Sequence, residues 1–364
     1  MKFLLTAVNA KYIHSNPAIY SLRAYSVQKD SELEKNIELA EYTINQPSRI
    51  SWRNIYRRKP DCIAFSCYIW NWEIIRDIVR ELAKILPMSL FGWEGRRYPI
   101  MRRKSWKAAF LTGIMVGEGE ETFRELLCYY RNGSTKETAD LEKIAGIVFR
   151  RHAGICRTGE RRLTDISGLP FFYNEEDIGD FHNRIIYYES SRGCPYRCSY
   201  CLSSIDKTVR LRSRELVEKE LQFFLDKKVP QVKFVDRTFN CDHKHAMGIW
   251  KYIKEHDNGI TNFHFEISAD ILKEEELAIL QSLRPGLVQL EIGVQSTNPR
   301  TIEEIRRSMD WERLRQIVAA LREKENIHIH LDLIAGLPYE DMESFRHSFN
   351  EVYAAGRSSC SWDF

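Results

Sequence analysis

Twice along this chain, short apolar runs alternate with segments whose apolar residues recur every three to four positions. In the first half the runs are residues 2–9, 36–44, 61–67 and 113–116, with helical patterns over 17–29, over 71–86 and in GEGEETFRELL. In the second half RIIYYES, QVKFVDR, NFHFEIS, LVQLEIGV and IHIHLDLIAG read as strands, with helices predicted between them, for example over 213–227 and 301–323. Strand–helix alternation of this kind predicts parallel sheets covered by helices, with ligands at the carboxyl ends of the strands. In the first half those ends carry Asn9, Ser66 and Gly117. The expected layout is an α/β domain over 1–145, a linker over 146–183 and a second domain over 184–364, a partial parallel barrel. In the linker, IVFRRHAGICRTGERRL alternates like a hairpin and ISGLPFFYN like a docked strap.

The 364 residues leave room for two domains, and 43% hydrophobic residues suffice for real cores. With 54 basic against 51 acidic residues the net charge is +3, which argues against a nucleic-acid partner. No apolar run approaches the ~20 residues of a membrane span. The opening MKFLLTAVNAKYIH reads as a buried strand rather than a signal peptide. An odd number of cysteines, nine, without a signal points to a reducing, cytoplasmic setting in which thiols are metal ligands or core residues.

The sharpest chemical signal is SRGCPYRCSYC, in which Cys194, Cys198 and Cys201 share one short loop. Three thiolates can hold three irons of a four-iron cluster and leave the fourth open to a small molecule. A structural zinc wants four closed ligands. No fourth cysteine or histidine follows closely, Cys241 and His243 standing about forty residues on.

On this trio, with Tyr200 as the aromatic before the last cysteine, the chain from residue 184 onward resembles the radical S-adenosylmethionine (SAM) superfamily. The resemblance implies a [4Fe–4S] cluster on Cys194, Cys198 and Cys201 whose open iron chelates S-adenosylmethionine, reductive cleavage of which gives a 5′-deoxyadenosyl radical. It places Asp236 near the cofactor's amino group, and Glu266 and Ser268 near its ribose or methionine atoms. Glu291, Gly293 and Gln295 in LEIGVQSTN, and Asp332, Gly336 and Pro338 in LDLIAGLPYED, are further strand-end candidates; Gly336 would let the backbone approach the adenine. An electron donor such as flavodoxin or ferredoxin and a small-molecule or peptide substrate are the implied partners.

In the first half, NAKYIHSN, FSCYIWN and VGEGEETF resemble the ligand-facing loops of the cobalamin-binding domain found in one branch of that superfamily. Ser66 and Gly117 would then lie near the corrin. The Asp-x-His-x-x-Gly motif is absent, so no histidine ligand to cobalt is expected, and His14 reads as a polar loop residue. NAKYIHSNPAIYSLRAY and VKFVDRTFN are similar to an anaerobic-bacterial subgroup with an additional C-terminal domain of unknown function. The expected fold is thus α/β: a Rossmann-like cobalamin-binding-type domain, then an incomplete radical SAM (β/α)6 partial barrel. The expected activity is methyl transfer to an unactivated carbon, or a related radical rearrangement. Two readings compete: a radical enzyme with a degenerate first domain that binds no cobalamin, and a non-catalytic iron–sulfur or zinc protein. Methylthiolation of transfer RNA is disfavoured, because Cys62, Cys67 and Cys128 do not form a second trio.

Two stretches read as out of frame. WEGRRYPIMRRKSWK (93–107) has six basic residues and no strand or helix period. One permitted set of codons, read from the third base, gives Gly-Gly-Pro-Glu and a helix start, as the family would have there. GRSSCSWDF (356–364) likewise yields an alternating strand-like phrase. The expectation is a frameshift near 93–108 and another near 355 that removes the last barrel strand and impairs the encoded chemistry. Sequencing the source DNA decides it.

Overall fold

The computed structural model describes residues 1–86, 89–94, 112–131, 138–151, 154–175, 178–181, 183–205 and 208–356. The out-of-frame expectations for 95–108 and 357–364 lie outside the described residues. The chain divides into two compact units, Met1–Arg184 and Ile185–Phe364.

In the first unit, β1 (Phe3–Asn9), β2 (Ile37–Thr43), β3 (Cys62–Ser66), β4 (Ser89–Glu94) and β5 (Gly113–Val116) form a parallel sheet. The hairpin β6 (Ile147–Arg151) and β7 (Gly154–Arg157) joins it antiparallel, giving the order β2-β1-β3-β4-β5-β6-β7. The hairpin pattern of the linker is therefore the edge of this sheet. All seven residues of β1 are buried. Phe3, Leu5 and Ala7 meet Ile19 and Leu22 of the helix Pro17–Lys29 and Phe123, Leu126 and Leu127 of the helix Glu120–Arg131. Leu4 and Val8 meet Ile55, Ile75, Ile78 and Leu82 on the other face. Burial on both faces is what an all-apolar strand demands. The strand order reverses between β1 and β3, and a crevice for a ligand opens at such a switch point.

In the second unit, β8 (Ile186–Tyr188) is followed by a small antiparallel pair, β9 (Ser191–Arg192) and β10 (Arg210–Leu211). Then come β11 (Gln231–Phe234), β12 (Asn262–Ile267), β13 (Val288–Gln295) and β14 (His328–Leu333), parallel throughout in the order β14-β13-β12-β11-β8. The sheet has two unlike faces. Val288, Leu290, Ile292 and Val294 are buried, while Gln289, Glu291, Gly293 and Gln295 between them are not fully covered. On the helix side Phe265 packs on Phe234, Phe239 and the wholly buried Trp250. The opposite face carries Lys233, His264, Glu266, Glu291 and His330, the side a closed barrel would turn inward.

The helix expected over 301–323 is two helices, Pro299–Glu304 and Trp311–Arg322. Arg306 adopts a left-handed φ of 54°, and the Asp310 carboxylate caps the second helix by accepting from the Arg313 amide at 2.9 Å. The break brings residues 305–307 to the cysteine loop.

Candidate active site

The cysteine loop is the turn of a hairpin whose base is β9 and β10. Gly193 opens it at φ +111°, and a Cβ there would come within 2.1 Å of the Thr208 carbonyl oxygen, so only glycine fits. The base is fixed by two buried polar networks. The Arg212 amide donates to the Ser190 carbonyl at 2.8 Å, and the Arg212 guanidinium pairs with Glu220, which also accepts from Tyr188 Oη at 2.7 Å. In the second network Asp236, fully buried, accepts from the Ser190 amide at 3.0 Å and from Ser190 Oγ at 2.7 Å, while His245 Nε2 lies 3.0 Å from that Oγ. Asp236 is thus placed differently from the sequence expectation: its carboxyl holds the entry to the cysteine loop instead of lying open to a cofactor amino group. Burial pushes it up to about 6, opposed by the hydrogen bonds from Ser191 and Ser190.

Within the loop Cys194 and Cys198 are buried and Cys201 is half-buried. Cys194 Sγ lies 3.7 Å from Thr238 Oγ1. Tyr196 hydrogen-bonds Ser268 at the carboxyl end of β12, bringing that predicted residue to the loop. Ser268 is in turn gripped by Asn240, which donates to its carbonyl at 2.8 Å and accepts from its amide at 2.9 Å. On the far side the Ser199 amide donates to the Ile305 carbonyl at 2.9 Å. Tyr200 lies against Cys198 and accepts from Arg307 Nη1 at 3.4 Å, and burial pushes its phenol up to about 12. Arg307 Nη2 donates to the Gly293 carbonyl, and Arg307 Nε is buried with no partner among the described residues. Asn240 and Arg307 were not read from the sequence.

Among the described residues, no three His, Cys, Asp or Glu side chains converge on a position for a single metal ion. A four-iron cluster takes its cysteines at separate irons, so three thiols spread over one loop suit it. Arg307 Nε is a buried donor for which the described residues supply no acceptor.

The two glutamates of the polar face stand opposite each other in register, Glu266 on β12 and Glu291 on β13. Glu291 is held down to about 2, first by His264, whose Nε2 lies 3.0 Å away, and then by Lys233 at 2.8 Å. Glu266 is pushed up to about 7 by burial and by the charge of Glu291, with Arg237 and Lys233 opposing. Of the pair, Glu266 keeps its carboxyl available to a ligand. Gly336 has φ +83° with open space where a Cβ would stand, so its backbone conformation is what calls for glycine. Glu340, also missed, accepts from Ser296 Oγ at 2.6 Å and ties the loop after β14 to the end of β13.

In the first unit the loops after β1 and β3 are built on asparagines. Asn71, buried, donates to the Val8 and Ser66 carbonyls at 3.0 and 3.2 Å and accepts from the Tyr68 amide at 2.7 Å. Glu41 accepts from Asn9 Nδ2, the Asn16 amide and Tyr20 Oη, and pairs with Arg184 at 2.6 Å. Loops fixed in this way hold large apolar side chains in the open: Tyr12 is 66% exposed, Ile69 49% and Trp70 48%, with the Tyr68 and Trp70 rings stacked at 5.6 Å. Ser66 is 2% exposed and its hydroxyl accepts from Asn16 Nδ2 at 3.1 Å, so it fastens the loops instead of presenting a bare surface. Gly117, at φ +84°, has open space around it.

The radical SAM superfamily profile matches residues 188–352. A 2-(S-pantetheinyl)-carbapenam-3-carboxylate methyltransferase from Streptantibioticus cattleyicolor is 27% identical over 328 residues, 82% of this chain and 45% of that protein. The chain thus spans about half the length of the curated relatives it matches. The structure of the radical S-adenosylmethionine methyltransferase TsrM from Kitasatospora setae, with cobalamin and a [4Fe-4S] cluster bound, superposes with a TM-score of 0.74 at 16% identity, covering 99% of this chain and 74% of that one. The cobalamin-dependent radical enzyme OxsB, with aqua-cobalamin and S-adenosylmethionine bound, gives 0.73 at 16% identity, covering 95% and 51%. These likenesses show the fold, an α/β unit followed in the chain by a second unit built on a parallel sheet. Residues 188–352, which hold the cysteine hairpin and the parallel strands above it, are a radical SAM domain.

Proposed function

We propose that the chain is the core of a cobalamin-dependent radical SAM enzyme that transfers a methyl group to an unactivated carbon or performs a related radical rearrangement. The observation that carries this reading is the cysteine hairpin, fastened at its base and flank to the carboxyl ends of parallel strands. Cys194, Cys198 and Cys201 would hold the cluster, which supplies the electron that splits the sulfonium of S-adenosylmethionine. Ser268, Glu266 and Gly336 line the strand ends where that cofactor would sit, and the free Nε of Arg307 is a donor suited to its carboxylate. Tyr12, Ile69 and the stacked Tyr68 and Trp70 offer the broad apolar platform a corrin ring needs at the sheet's switch point. The substrate is a small molecule or peptide, and the reductant a flavodoxin or ferredoxin. A reducing, cytoplasmic setting would keep the three loop cysteines as thiols able to bind iron.

Anaerobic reconstitution of the full chain tests the proposal. Iron and sulfide, corrinoid absorbance after addition of hydroxocobalamin, and release of 5′-deoxyadenosine from S-adenosylmethionine are the expected results. Zinc without deoxyadenosine overturns the reading; a cluster and deoxyadenosine without corrinoid removes the cobalamin half of it.

A further inference from the structure

We propose that Arg307, acting through the Tyr200 hydroxyl on the Cys198 sulfur, is a positioning residue that raises the reduction potential of the cluster; this rests on reading the three cysteines as cluster ligands. The geometry is a chain of three groups. Arg307 Nη1 donates to Tyr200 Oη at 3.4 Å, and that hydroxyl lies in hydrogen-bond reach of Cys198. Nη2 is fixed on the Gly293 carbonyl at the end of β13, so the guanidinium cannot swing away.

Fastening alone does not account for this arrangement. The loop is already anchored at this point by the hydrogen bond from the Ser199 amide to the Ile305 carbonyl. The helix break that delivers Arg307 holds Arg306 at φ 54°, a conformation that costs a non-glycine residue about 1 kcal/mol or more. A permanent cation held on the Tyr200 hydroxyl suits a centre that carries negative charge. Reduction adds one further negative charge to a thiolate-bound cluster. A hydrogen bond to a ligand sulfur and a nearby cation each favour that extra charge, and both raise the potential. The Tyr200 hydroxyl, polarised by Arg307, joins the two effects into one charge-assisted relay.

The experiment is an EPR-monitored redox titration of the anaerobically reconstituted full chain, alongside Tyr200→Phe, Arg307→Met and Arg307→Lys, with iron and sulfide counted in each. Tyr200→Phe and Arg307→Met are expected to keep their iron and titrate at more negative potentials. For Arg307→Met the ratio of reduced to oxidised cluster at the wild-type midpoint should fall about tenfold, equivalent to about 59 mV for one electron. Arg307→Lys, which keeps the charge and loses the fork, should fall between. Loaded variants that titrate with the wild type overturn the proposal and leave the cluster reading standing. If Arg307→Met takes up no iron, Tyr200→Phe decides: a negative shift supports the relay, and an unshifted midpoint makes Arg307 a fastening only. Wild-type protein that binds no iron overturns both the relay and the cluster reading.

Discussion

Single side chains in the second unit carry free energy that a pH series can read. Glu266 titrates at about 7 in the folded chain, against 4.5 for an ordinary glutamate. Between those values the folded chain holds a proton that the unfolded chain has released, so stability falls as pH rises through the window. Glu266→Gln removes that dependence. The wild type should lose on the order of 2 kcal/mol relative to the variant between about pH 4.5 and pH 7.5, allowing for partial exposure. Chemical denaturation at stepped pH measures it, and parallel curves for the two proteins would contradict the assignment. Gly193 offers a conformational counterpart. Gly193→Ala places a methyl against the Thr208 carbonyl, whereas Gly117→Ala meets open space and bears only the strain of a left-handed alanine, about 1 kcal/mol. The first should abolish iron uptake on reconstitution while circular dichroism stays unchanged; the second should leave iron uptake intact.

Elements were legible in the sequence where a period ran undisturbed. The strands of the second sheet stand out because apolar residues alternate or run together, and the cysteine hairpin because its three cysteines lie within eight residues. The break at 305–310 was hidden, since no glycine or proline interrupts EEIRRSMDWERL. Its signal was Asp310 ahead of Trp311, a cap residue inside an apparent helix. The functions of Asn71, Asn240 and Arg307 were not legible at all, because each acts on backbone groups far away in sequence. Asn71 shows what such a residue is worth to an element. Its side chain bonds two strand-end carbonyls and the first amide of the loop that displays Tyr68, Ile69 and Trp70. Asn71→Ala leaves them buried and unpaired, which should cost about 2–4 kcal/mol in urea denaturation. It should also weaken hydroxocobalamin binding about tenfold by spectroscopic titration. Normal affinity in a destabilised variant would show that the platform does not depend on this loop.

For the whole molecule, the division at Arg184 and Ile185 gives each part its own sheet. The first unit buries β1 between two apolar clusters, and its Glu41 pairs with Arg184, the last residue of that unit. The three loop cysteines and the hydrogen bonds described above that hold their hairpin lie in the second. If cofactor binding follows this division, the two cofactors load independently. Residues 1–184 expressed alone should then take up hydroxocobalamin with an affinity within about threefold of the full chain, and no iron. Glu41→Ala in that fragment should unfold it, because removing one partner of a buried ion pair costs about 3–5 kcal/mol and strands Arg184. In the full chain, Cys198→Ala should abolish the cluster and leave corrinoid binding unchanged. Loss of corrinoid together with iron in Cys198→Ala would mean instead that the two sites are one cooperative assembly, and that the division read from the fold does not extend to ligand binding.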